Sequence, residues 1–139
     1  MKTDWQIGDR IRNRWEVHNI LSGGMGRIYL VYDHEFSESF AIKTVREELF
    51  QGQPHIIERF RRESLAWISL ELHQNITQAR FFEVIDDRPF LFLEFVSGGD
   101  LSDLIGRPQL VENLPNVLGF AIQFCDGMMH ALFRPEAIG

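Results

Sequence analysis

A lysine, a glutamate and a run of glycines are the residues of this chain best suited to chemistry. Lys43 ends the triplet Ala41-Ile42-Lys43 in a β-rich stretch. Glu63 falls where Ile56, Phe60, Glu63, Trp67 and Leu70 recur at steps of four and three, so that one helix face is apolar apart from its carboxylate. A core-facing carboxylate needs a cation, because an unpaired buried charge is strongly unfavourable, and Lys43 is the candidate. In the alternative the helix is rotated, and Glu63 pairs with Arg59 or faces water. The turn Ser22-Gly23-Gly24-Met25-Gly26 is, on its own, an ordinary hairpin connection. The five histidines, His18, His34, His55, His73 and His130, lack the spacing of a metal site, so no metal ligands are assigned. Cys125 lies in an apolar helical run and reads as a small core residue rather than a nucleophile.

Strands come first and helices later, an order that predicts an α+β fold. Trp15 to Leu21 and Arg27 to Asp33 form a hairpin about the glycine turn, and Ser39 to Val45 adds a third strand. Gln78 to Ile85 and Phe90 to Val96 make a second hairpin around Asp86-Asp87-Arg88-Pro89, which completes a five-stranded antiparallel sheet. A helix from about Pro54 to Glu71, with proline near its start, carries Glu63. Asp100 or Ser102 caps a short helix through Ile105. Pro115 opens a longer helix whose stripe of Val117, Ala121, Phe124, Met128 and Leu132 reads as core packing or as a methionine-rich groove. Gly119 and Gly127 each weaken that helix by roughly 1 kcal/mol relative to alanine.

At 139 residues and 45% hydrophobic content, one domain with a real core is expected. The net charge of -6 argues against nucleic acid, which needs clustered Lys and Arg. Arg59, Arg61 and Arg62 alternate with Glu58 and Glu63, and Glu58 is placed to pair with Arg62 across a turn, as on a solvated face. A single cysteine fits a reducing compartment. The start shows no apolar leader, and no run is long enough to span a bilayer, so a cytoplasmic location away from membranes is expected.

Several separated segments, in order, give the chain a family likeness from about residue 9 to residue 131. It resembles the N-terminal lobe, hinge and first C-lobe helices of a bacterial serine/threonine protein kinase. Ile20 to Tyr29 resembles the glycine-rich loop, which implies that Leu21, Ser22, Gly23, Gly24, Met25 and Gly26 cover the phosphates of ATP with backbone N–H groups. Ile28 matches the aliphatic residue over adenine. Ala41-Ile42-Lys43 resembles Val-Ala-Ile-Lys, which implies that Ala41 lines the adenine pocket and Lys43 reaches the phosphates. Glu63 matches the helix glutamate that orients this lysine. His73-Gln74-Asn75-Ile76 resembles the family's His-Pro-Asn-Ile turn. Leu91 to Leu101 matches the hinge, which implies Leu93 as gatekeeper, Glu94 and Val96 as backbone partners of adenine, and Asp100 near the ribose. The implied organisation is one incomplete domain: about 9–96 N-lobe, 97–100 hinge, and 101–132 the first C-lobe helices.

The departures carry equal weight. Leu21, or a one-residue deletion, stands where the first loop glycine belongs. Where the family continues into His-Arg-Asp and Asp-Phe-Gly, the chain reads Phe133-Arg134-Pro135-Glu136-Ala137-Ile138-Gly139, so the family's base and its protein ligands for magnesium have no counterparts. Three readings follow: the ATP-binding part of a truncated or split kinase, inactive by itself; a non-catalytic module that holds a nucleotide or a partner; and an interaction or structural fragment whose last helix, covered by the C-lobe in a whole kinase, leads to self-association, a protein partner or aggregation.

Overall fold

Alternation of bulky apolar residues with smaller or polar ones drives much of the chain into strands with two distinct faces. The computed structural model of the protein describes residues 4–24, 26–51 and 53–133, apart from the side chain of Phe50. Met25 of the glycine turn and residues 134–139 lie outside the described residues. The chain divides into two units, one holding the described residues up to Ser69 together with Gln78–Phe95, the other holding Leu70–Thr77 and the residues from Val96 on.

In the first unit, β1 (Arg10–Ile11), β2 (Trp15–Ser22), β3 (Gly26–Asp33), β4 (Glu38–Val45), β5 (Ala79–Ile85) and β6 (Arg88–Glu94) form an antiparallel sheet in the order β1-β2-β3-β4-β6-β5. The five expected strands are present, and β1 is a sixth, too short to show a period. The second hairpin turns on Asp86 and Asp87 alone, at φ 50° and 62°. Left-handed residues at both positions suit the twist of a two-residue hairpin, so Arg88 and Pro89 are strand residues rather than turn residues.

One sheet face is the core. Tyr29, Val31, Phe40, Ile42, Phe90 and Phe92 are buried there with Trp15, Val17 and Ile85. Trp15 and Phe92 lie 4.8 Å apart and Phe81 stacks on Phe92 at 4.3 Å. At the edge of this core Asp33 is fully buried. Its carboxylate accepts from Arg14 at 2.8–3.0 Å, from Trp15 Nε1 at 2.9 Å and from the Glu35 N–H at 2.8 Å.

The other face is covered in part by α2 (Pro54–Ile68), which follows a one-turn helix, α1 (Glu47–Phe50). α2 seats Phe60, Trp67 and Ile68 against Ala79, Leu91 and Leu93, and Ser64 is its buried residue. Helix α2 stops at Ile68, three residues before the expected Glu71.

In the second unit a single 3-10 turn spans Leu101–Leu104, followed by α3 (Pro108–Val111) and α4 (Leu114–Leu132). Asp100 caps the turn, accepting from the Ser102 N–H at 2.8 Å while Asp103 accepts from the Asp100 N–H at 3.0 Å. The His73–Ile76 segment packs on α4. Asn75 Nδ2 donates to Asp126 at 2.9 Å, and His73 Nδ1 accepts from the Asn75 N–H at 3.1 Å, which leaves Nε2 of that ring, 3.3 Å from Asp126, to carry the proton. The His73 and His130 rings lie 4.7 Å apart.

Only Gly127 of α4 is buried, because the chain at Asn75 passes directly over it. The stripe expected to pack as core is instead exposed at Val117, Phe124, Met128 and Leu132, and Cys125 is exposed as well. An apolar period marks a face that prefers burial, and the described residues provide no cover for this one.

Candidate functional site

Register assembles the site. Leu21 pairs with Ile28, Ile28 with Lys43, and Lys43 with Leu91. One row along, Leu30 pairs with Ala41 and Ala41 with Leu93. Directly paired residues project to the same side of a sheet, so Leu21, Ile28, Ala41, Lys43 and Leu93 share the face opposite Tyr29, Ile42 and Phe92. Strand β4 thus serves both faces: Phe40, Ile42 and Thr44 enter the core, while Ala41 and Lys43 look the other way.

The glycine turn stands at the end of this face. The Gly23 N–H donates to the Gly26 carbonyl at 3.1 Å, closing a tight connection between β2 and β3. A Cβ added at Gly23 or Gly24 would meet nothing within 4 Å, so packing inside the chain does not require glycine there. At Gly26 a Cβ would lie 3.2 Å from the Thr44 carbonyl, a tight approach that the neighbouring strand would have to yield to. Ser22 pairs with Arg27 at the end of the β2–β3 ladder.

Beside the turn, a cavity of about 410 Å³ is lined by Gly26, Lys43, Thr44, Val45, Leu49, Ile56, Arg59, Phe60 and Glu63. Lys43 and Glu63 therefore face one space, but they do not form the expected ion pair. Glu63 is exposed and accepts from Arg59 Nε at 2.8 Å across one helical turn. The cause is helix phase: α2 turns Ser64 rather than Glu63 toward the sheet, which leaves Glu63 at the rim. The Arg59 hydrogen bond holds the Glu63 carboxyl below its ordinary range against slight desolvation, with smaller help from the fields of Arg59, Lys43 and Arg62. The Lys43 ammonium lies 6.0 Å from the centre of the Trp67 ring, at the outer limit of a cation–π contact. Glu58 pairs with Arg61 at 3.5 Å rather than with Arg62.

Leu93 is buried between Ala41 and Ala79. The Glu94 N–H donates to the Gln78 carbonyl at 2.9 Å, and its side chain accepts from the Gln78 N–H at 2.7 Å, so both are committed within the sheet. Val96 and Asp100 belong to the second unit. There the Asp100 carboxyl is held below its ordinary range by hydrogen bonds from the Ser102 hydroxyl and N–H. Leu49 lines the cavity without any sequence signal, whereas Arg59 was already the alternative partner of Glu63. The signal for Arg59 was its i,i+4 spacing to Glu63.

The arrangement can seat a flat apolar group along Ile28, Ala41 and Leu93 and an anionic group at the bare turn beside Lys43. Of the cavity residues only Glu63 offers a carboxylate, and Arg59 occupies it, so the residues that line this cavity do not fit a magnesium ion. No protein-family model matches the chain. Pkn1 of Myxococcus xanthus, a serine/threonine-protein kinase, is 29% identical over 140 residues, which cover 95% of this chain and 20% of that protein. A second kinase of that organism, pkn3, is 26% identical over 98% of this chain and 26% of its own length.

This chain is similar to the bacterial serine/threonine protein kinases.

The crystal structure of the Mycobacterium tuberculosis PknI kinase domain superposes with a TM-score of 0.69 at 19% identity, covering 92% of this chain and 51% of that one. The kinase-like chain thus has the protein-kinase N-lobe fold, a curled antiparallel sheet with helices, and spans about half of that solved domain and a smaller share of its curated relatives. Among the described residues no helix is long and apolar enough to cross a membrane.

Proposed function

We propose that the chain is the ATP-binding portion of a serine/threonine protein kinase family member. The observation that carries this reading is the register that sets Ile28, Ala41, Lys43 and Leu93 on one face beneath a glycine turn whose backbone is open on its outer side. Adenine stacks on the apolar end, and the phosphates meet Lys43 and the N–H groups of the turn. Lys43 neutralises phosphate charge. Glu63 contributes from the rim of the cavity by its field on the lysine and orients it directly once released by Arg59. The Glu94 carbonyl completes the proposed contacts to adenine.

A cytoplasmic setting and ATP as partner go with this reading, as does a protein surface to cover α4. Transfer of phosphate to protein Ser or Thr is the activity of the family. The 139 residues contain no His-Arg-Asp or Asp-Phe-Gly, so this polypeptide alone is expected to hold nucleotide without turning it over. Titration calorimetry with ATP tests both points. Expected are measurable binding, its loss in Lys43→Ala, and only modest dependence on magnesium. Absence of binding at high micromolar nucleotide overturns the proposal.

A further inference from the structure

The sheet face opposite Lys43 carries a cluster that the nucleotide reading does not use. Asp4, ahead of β1, places one carboxylate between two guanidinium groups: it pairs with Arg27 and, at 3.3 Å, with Arg88. The Tyr29 hydroxyl donates to the same carboxylate at 3.3 Å. Trp5, the next residue, packs edge-on against Tyr29 at 5.4 Å and against Phe90 at 5.0 Å, which fixes the segment to the core.

Both arginines occupy strategic places. Arg27 is the first residue after the glycine turn's last glycine, and its buried Nε has no acceptor among the described residues. Arg88 is buried, and its Nε and Nη2 donate to the Val45 carbonyl at 3.3 and 3.1 Å. Val45 lies two residues beyond Lys43 and pairs with Gly26. A single carboxylate therefore ties together the ends of the two strands that carry the turn and the lysine. Its removal takes the shared acceptor from between the two guanidinium groups.

We propose that Asp4, seated by Trp5, is a positioning residue for the glycine turn, acting through Arg27 and Arg88 to fix the adjoining ends of β3 and β4. The consequence for nucleotide affinity rests on the ATP-binding reading above; the consequence for the turn itself does not. The test compares the wild-type chain with Asp4→Asn and Asp4→Glu by amide hydrogen exchange and by ATP titration. In Asp4→Asn, exchange at Gly26–Ile28 and Val45 is expected to quicken and ATP to bind about tenfold more weakly, the scale of one lost charge-assisted hydrogen bond. Exchange in β5 should be unchanged, and Asp4→Glu should restore most of both effects.

Unchanged exchange at the turn in Asp4→Asn overturns the proposal. So does equal acceleration in β5, which would mark general loosening. If wild-type chain binds no ATP, the nucleotide reading fails, and the exchange pattern still decides whether Asp4 positions the turn.

Discussion

At the scale of single residues, Asp33 is the most consequential polar group of the sheet. Burial alone would raise its carboxyl pKa, but hydrogen bonds from Arg14, from the Glu35 and Phe36 N–H groups and from Trp15 outweigh this and hold it below the ordinary range. A carboxyl lowered in the folded state binds fewer protons than in the unfolded chain. Its stabilisation is therefore complete above the unfolded value near 4 and lost as pH falls through the folded one. Urea midpoints measured from pH 7 down to pH 3 should fall most steeply below about pH 4, and Asp33→Asn should flatten that fall. Because it sets an amide donor among the donors that meet the buried Asp33 carboxylate, while Arg14 keeps its pair with Glu35, Asp33→Asn should also cost on the order of 2 kcal/mol at neutral pH. Arg59→Ala should behave in the opposite way, leaving the melting temperature in place, since its partner Glu63 is exposed and such pairs contribute little. The apolar period set Glu63 toward the core with Lys43 as its cation and left Arg59 as the alternative, and the alternative is the pair that forms. Which cation Glu63 takes was not legible: neighbouring positions on a helix differ by about 100° of rotation, and burial of Ser64 decided the phase.

At the scale of elements, the strands with strong alternation were readable to within a residue or two, while β1, α1 and α3 were not. Two to four residues carry too little pattern, and tertiary contacts define such pieces. The turn between β5 and β6 was placed correctly but drawn too long, since Arg88 looks like a turn residue until its bond to Val45 is known. Asp87→Gly should relieve a left-handed backbone and raise stability by up to about 1 kcal/mol in denaturant titration. Helix α4 offers a paired test. Gly119 faces open space, so Gly119→Ala should gain about 1 kcal/mol from helix propensity. At Gly127 a Cβ would lie 3.0 Å from the Asn75 carbonyl, in a segment held by Asp126, so the same substitution should lower stability. Melting curves of the two variants should move in opposite directions. The sequence reading treated both glycines as weak points of the helix; only the crossing chain at Asn75 shows that one of them is required.

At the scale of the whole molecule, α4 exposes Phe124, Met128 and Leu132 along with Ile122 and Met129. An apolar surface of that extent favours association. Sedimentation velocity should show a weight-average mass that rises with concentration, and a Phe124→Ser, Met128→Ser double variant should suppress the rise. The period of α4 announced an apolar face, yet burial is a property of what lies opposite, which a period does not contain. The fold class followed from the order of strands and helices, because that order rests on local pattern. The Asp4 cluster escaped notice because it joins residues far apart in sequence and has no period. The placement of the tryptophans gives the chain an optical map of its own. The sequence has three: Trp5 on Tyr29, Trp15 donating to Asp33, and Trp67 beside the Lys43 ammonium. All belong to the unit that contains the sheet. Intrinsic fluorescence will therefore follow the sheet and, through Trp67, any ligand that moves Lys43, while the helices beyond Val96 stay dark; circular dichroism reads the 19 residues of α4 together with the 15 of α2, so a loss of helical signal that fluorescence does not share is the mark of α4 melting by itself.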